Sequence, residues 1–188
     1  LPHREWKQTA PVPTRTITDD LLFELTVADQ RLSLRSGSDF MPVLDSPSAD
    51  LRASIVFVGY GLSDPSQGID DYAGLDVNNR IVLFLRGKPD KYTGSAAHAD
   101  KERLAKRKGA IAYLTATGPI LNAYEQRRGV TGRPSAFYSS EASEQLPGAW
   151  ISTEMAEWIL QRGTTGKPIL RDLQEELNRT GLSKSIST

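Results

Sequence analysis

A chain of 188 residues with 38% hydrophobic and 24% charged content can bury a core, which excludes general disorder. Its 23 basic residues equal its 23 acidic ones, so no charge excess draws it to nucleic acid or to an anionic membrane. Cysteine is absent, which excludes disulfides and thiolate metal sites, and no apolar run approaches the ~20 residues of a membrane span.

Residues 1–15 carry Pro2, Pro11 and Pro13 with little periodicity and read as an extended arm. The start has neither an initiator Met nor an apolar signal core, as expected of a processed protein or an excised fragment. Phe23, Leu25 and Val27 then alternate with polar residues, Ala28-Asp29-Gln30 can turn, and Leu32 and Leu34 resume the alternation. Period two predicts a hairpin with one buried face. Gly37-Ser38-Asp39 closes that unit, and Ser46-Pro47-Ser48-Ala49-Asp50 reads as a linker.

The chain is organised around residues 53–87. Residues 55–58 and 81–85 are mostly β-branched or aromatic and carry no charge, which predicts strands buried on both faces. Their polar, Gly-rich connection contains Asp70-Asp71-Tyr72-Ala73-Gly74. Asn78-Asn79 supplies a left-handed turn before the second strand, and Gly87 and Pro89 stop it. A helix is expected over 96–108, capped by Ser95 and followed by Gly109. Its expected apolar stripe is Ala97, Leu104 and Ala105, with Glu102 paired to Lys106 and the 101–108 cations on a solvated face. Residues 110–114 read as a third strand, so that strand, helix and strand make a βαβ unit with parallel strands.

Residues 115–148 are the least regular, with a short helix expected over 120–127. Trp150-Ile151 opens a more ordered section, and Ser152 caps a helix over 153–161 whose apolar face is Met155, Ala156, Ile159 and Leu160. After a boundary at 163–168, a last helix over 169–178 buries Ile169, Leu170, Leu173 and Leu177 and ends at Gly181. Residues 182–188 look like the start of a strand.

Catalytic chemistry needs convergent groups, and few are on offer. His3 and His98 are the two histidines, with no HExxH pattern, and His98 beside a helix start reads as a surface residue. Asp70-Asp71 resembles half of a hard-cation site but reads as turn capping. P-loop, GxGxxG and GxSxG patterns are missing. No catalytic or metal-ligating residue is assigned. The expected cleft or interface loops are 62–72 and 88–98, with Asp70, Asp71, Tyr72, Lys91, Tyr92 and His98 as candidate contact residues.

Four pieces together resemble a protease-associated (PA) domain: Val-Phe-Val-Gly-Tyr-Gly (56–61), Asp-Asp-Tyr-Ala-Gly-Leu-Asp-Val (70–77), Arg-Ile-Val-Leu-Phe-Leu-Arg-Gly (80–87) and Lys-Arg-Lys-Gly-Ala-Ile-Ala-Tyr-Leu (106–114). Asn79-Arg80 stands where the PA pattern has Gly-Lys. The flanks, residues 34–42, Trp150-Ile151-Ser152 and residues 170–177, are similar to those of PA domains inserted in bacterial di-zinc aminopeptidases of the glutamate-carboxypeptidase-like group. The resemblance implies an α/β fold, a small β/β/α domain with a mixed sheet and a few flanking helices. It implies a lead-in arm and hairpin over 1–45, the PA domain over 46–163, and a helical return over 164–188 toward a catalytic domain beyond this chain. The chain would then be a non-catalytic lid or docking module, extracellular or periplasmic in a bacterium. Its partners would be its own peptidase domain and a peptide or protein substrate. Cofactor zinc would belong to the parent's catalytic domain, none to this chain. Two alternatives stay open: a PA module of a subtilisin-like protease or sorting receptor, and a small-molecule or calcium binder using Asp70, Asp71 and Tyr72.

Overall fold

The structure is a computed structural model that describes residues 21–27, 30–121, 125–126, 129–137, 145–163, 170–181 and 186–187. The expected hairpin forms from β1 (Glu24–Val27) and β2 (Gln30–Ser33), antiparallel with Leu25 opposite Leu32. Leu25 and Leu34 are buried, and Phe23 and Leu32 pack against the same core, so the hairpin has one wet face. The Asp39 carboxylate holds the next turn by accepting from Arg35 N at 2.8 Å and pairing with the Arg35 guanidinium at 3.0 Å.

β3 (Phe40–Pro42) leads through the 46–50 stretch to β4 (Ile55–Phe57). A small hairpin follows that no period-two pattern announces: β5 (Ser63–Asp64), a 3-10 turn at Pro65–Gln67 and β6 (Ile69–Asp70). Asn79 takes the left-handed conformation at φ 56° and delivers the chain to β7 (Ile81–Leu85). Then come α1 (His98–Arg107), β8 (Ala112–Ala116), β9 (Gly148–Ile151), α2 (Thr153–Gly163), α3 (Leu170–Thr180) and β10 (Ile186–Ser187).

Among the described residues, six strands form one mixed sheet in the order β10-β4-β7-β8-β9-β3. β4, β7, β8 and β9 run parallel, whereas β10 and β3 are antiparallel at the two edges. Alternation sorts the central strands onto two cores. Phe57, Leu83, Leu85, Leu114 and Ile151 face the apolar stripe of α2 and Leu170 and Leu177 of α3. Val56, Val82, Phe84 and Tyr113 face Ala105 of α1, with Tyr72, Val77 and Leu146 filling in. Burial on both faces is what the charge-free runs required. β3, from the lead-in segment, and α3, from the return segment, share this sheet and core with residues 46–163.

Several local expectations shift. α1 begins at His98 because the Ser95 hydroxyl accepts from Ala97 N and donates to Asp100, holding a turn ahead of the helix. β8 begins at Ala112 because Ala110 N still bonds Ala105 O, while Ile111 N bonds Arg80 O. Ser152 caps α2 as expected, its hydroxyl accepting from Met155 N at 3.1 Å. Of the short helix expected over 120–127, residues 120–121 and 125–126 are described, and the last two are helical. The arm over 1–15, the stretch 164–169 and residues 182–185 lie outside the described residues.

Candidate functional site

Loops leaving the carboxyl ends of parallel strands gather on one edge, where open α/β sheets place their ligands. Here those loops are 59–62 after β4, 86–88 after β7 and 117–121 after β8. Gly61 lets the first loop run close over the second strand: it sits at φ 69°, and a Cβ there would meet Phe84 Cβ at 3.1 Å.

Asp71, 2% exposed, fixes the first loop from below. Its Oδ2 accepts from Tyr60 N and Leu62 N, each at 3.0 Å. Burial pushes its carboxyl up to about 7, opposed by those hydrogen bonds and by the nearby Lys101 charge. Lys101, also 2% exposed, fixes the second loop. Its Nζ donates to Leu85 O at 2.9 Å and Gly87 O at 2.6 Å, and lies 5.7 Å from the rings of Tyr60 and Phe84. Burial draws its ammonium down to about 7. A neutral amine has two N–H groups, and the two carbonyls take both, so either protonation state fits this geometry. On the same helix Glu102 is buried and accepts from Leu146 N at 2.9 Å. Gln174 of α3 holds the third loop, accepting from Ile120 N and donating to Ile120 O, both at 2.8 Å.

The expected stripe on α1 holds at Leu104 and Ala105, and Arg103, Lys106, Arg107 and Lys108 are exposed as expected, but the placing of Ala97 in the stripe and of Lys101 on the solvated face is corrected. Its buried residues are Lys101, Glu102 and Ala105, while Ala97 is exposed. Spacing held the clue, because 98, 101, 102 and 105 share one helical face. Charge hid it, since buried Lys and Glu are rare unless paired. The expectation that His98 is a surface residue is corrected too. Its ring packs 4.9 Å from Phe137, 5.2 Å from Tyr113 and 5.4 Å from Phe84, and Nε2 is inaccessible. Burial, then the neighbouring Lys101 and Arg86 charges, draw the imidazole down to about 3, so it is neutral at physiological pH.

The other candidate residues fall as follows. Asp70 Oδ1 accepts from Tyr72 N at 3.2 Å, an Asx turn. The two adjacent carboxylates thus serve backbone N–H groups on different loops. Tyr72 is buried in the α1-side core, its phenol raised by burial. Tyr92 is buried with Lys88 Nζ 5.6 Å from its ring, and Lys91 is exposed beside it. Loops 62–72 and 88–98 touch: Gln67 Oε1 accepts from both the N and the Oγ1 of Thr93 at 3.0 Å.

Among the described residues, no group of three His, Cys, Asp or Glu could hold a metal ion, and no helix is long and apolar enough to cross a membrane. A comparison with protein-family models and with curated proteins finds no match.

The site makes a pH-dependent prediction. Unfolded Lys titrates near 10.5 and native Lys101 near 7, so between these values the unfolded chain binds more protons. Stability of the wild-type chain therefore rises with pH from 7 to 9, by up to about 1 kcal/mol per pH unit. Lys101→Met keeps the apolar stem and removes the titrating group. Urea unfolding at pH 7, 8 and 9 is expected to show the slope in the wild type and its loss in the variant.

Proposed function

We propose that the chain is a non-catalytic module of the protease-associated type, belonging to a secreted zinc-dependent aminopeptidase. Its role is to shape access to the substrate cleft of its own peptidase domain and to contact the peptide or protein that enters. One observation carries this reading beyond the motif resemblance. Asp71, Lys101, Glu102 and Gln174 are buried polar groups, and each bonds to backbone atoms of a loop rather than converging on a shared point. Such a network stiffens a loop platform. It holds the chain at Tyr60, Leu62, Leu85, Gly87, Ile120 and Leu146, and the loops that continue from two of these points, 62–72 and 88–98, are joined through Gln67 and Thr93.

The test has two arms. The purified chain, supplied with zinc and aminoacyl chromogenic substrates, is expected to give no turnover above chelator-treated controls. The longer gene product is expected to carry HxD and EE motifs after residue 188. In that protein Lys91→Glu, at an exposed position, is expected to raise KM about threefold for peptide substrates with kcat little changed, the signature of lost uniform binding. Turnover by the chain alone defeats the non-catalytic assignment. A parent with a Ser–His–Asp protease or a membrane span moves it to the other PA classes.

A further inference from the structure

We propose that the Gln174 side chain is a clasp that couples the loops after β4 and β8 through α3, so that loosening either loop loosens the other. This inference does not rest on the peptidase reading and is tested on this chain alone.

The sequence places an amide where an aliphatic residue would serve packing better. The buried residues of α3 are Leu170, Gln174 and Leu177, spaced i, i+4 and i+7 along one helical face. Gln174 is 2% exposed. Burying an amide is unfavourable unless its polar atoms are bonded. Here they are. Oε1 accepts from Ile120 N at 2.8 Å, and Nε2 donates to Ile120 O at 2.8 Å and to the Tyr60 hydroxyl at 3.1 Å. Both N–H groups and the oxygen of the side chain are therefore engaged.

These partners lie on loops that follow strands which are not neighbours, because β7 stands between β4 and β8. The backbone ladder reaches only the start of each loop: Leu85 N bonds Gly59 O, and Arg86 N bonds Ala116 O, each at 2.8 Å. Past those bonds Gln174 reaches both loops with one side chain. Two contacts hold it in place. The Tyr60 hydroxyl donates onward to Asn178 Oδ1 at 2.7 Å, one turn further along α3. Burial pushes that phenol up to about 12, so it keeps its proton. A Cβ on Gly118 would come within 2.3 Å of Gln174 Oε1, so the backbone of the second loop lies against the amide. Groups that share one buried hydrogen-bond network respond to each other's loss.

Native-state hydrogen exchange provides the test, because it reads local opening amide by amide. The Tyr60 and Leu62 amides bond to Asp71 and not to Gln174, so a change there on altering Gln174 is a transmitted one. Gln174→Met keeps the length of the side chain and removes the amide. It is expected to speed exchange at Tyr60 and Leu62 about tenfold beyond any change at the β7 amides, which report global unfolding. In the other direction, Tyr60→Phe leaves the acceptor of Ile120 N in place and is expected to speed exchange at Ile120 about fivefold. Adding Gln174→Met to Tyr60→Phe is expected to bring no further change at Leu62, because the link is already cut. The Tyr60→Phe arm deletes one oxygen atom and decides the matter by itself if the methionine variant does not fold. The proposal is overturned by any of three results: wild-type exchange at Tyr60 and Leu62 in folded Gln174→Met, wild-type exchange at Ile120 in Tyr60→Phe, or additive effects of the two substitutions at Leu62.

Discussion

Asp71→Ala is expected to lose about 3 kcal/mol of folding stability. The substitution leaves the N–H groups of Tyr60 and Leu62 buried without an acceptor, and each orphaned donor costs about 1–3 kcal/mol. Asp71→Asn keeps an acceptor oxygen and is expected to lose about 1 kcal/mol or less at pH 7. The two variants separate the hydrogen bond from the charge. The unfolded carboxyl titrates near 3.8 and the native one near 7, so between those values the native state binds more protons. Wild-type stability from this group falls as pH rises from 4 to 7, and Asp71→Asn removes that slope. Denaturant unfolding of the three proteins at pH 4.5, 6 and 7 measures both effects. An alanine variant as stable as wild type would show that the loop after β4 does not depend on this anchor.

Gly148→Ala is the second large effect, expected at about 3 kcal/mol. Gly148 opens β9 directly across from Tyr113 on β8. A Cβ at position 148 would overlap the Tyr113 ring, whose Cζ, Cε1 and Cε2 are the nearest atoms. The ring cannot move aside readily. It is 1% exposed, stacked 5.6 Å from Phe84, with the His98 ring tilted against it at 5.2 Å. Overpacking in a tight core typically costs about 1–3 kcal/mol. The upper end is expected here because both residues sit in paired strands with little freedom to relax. Removing the ring should release the clash: in a double-mutant cycle with Tyr113→Leu, the alanine penalty is expected to fall below about 1 kcal/mol. An equal penalty in both backgrounds would place the strain elsewhere.

Much of the architecture was legible in local pattern. Residues 81–85 form β7 without change of boundary, because five consecutive apolar residues between Arg80 and Arg86 can be buried only on two faces. The hairpin of β1 and β2 followed from strict alternation, and α2 from a hydroxyl cap ahead of an apolar stripe. Asn79 and Gly109 were readable as left-handed positions because few residue types adopt that conformation cheaply. The candidate loops were legible as connections between strands, but their mutual contact through Gln67 and Thr93 was not.

What the sequence determined by itself, then, is the set of elements whose stability comes from near neighbours: buried runs, alternating strands, capped helices and special turns. The tertiary structure decided the rest. It placed β3 and β10 on opposite edges of one sheet, pairings that span about a hundred residues and leave no local period. It buried Lys101 and Glu102, whose partners are backbone atoms of Leu85, Gly87 and Leu146. A charge satisfied by distant carbonyls and amides looks in sequence like a charge facing water. Only the fold brings those backbone atoms within hydrogen-bond reach.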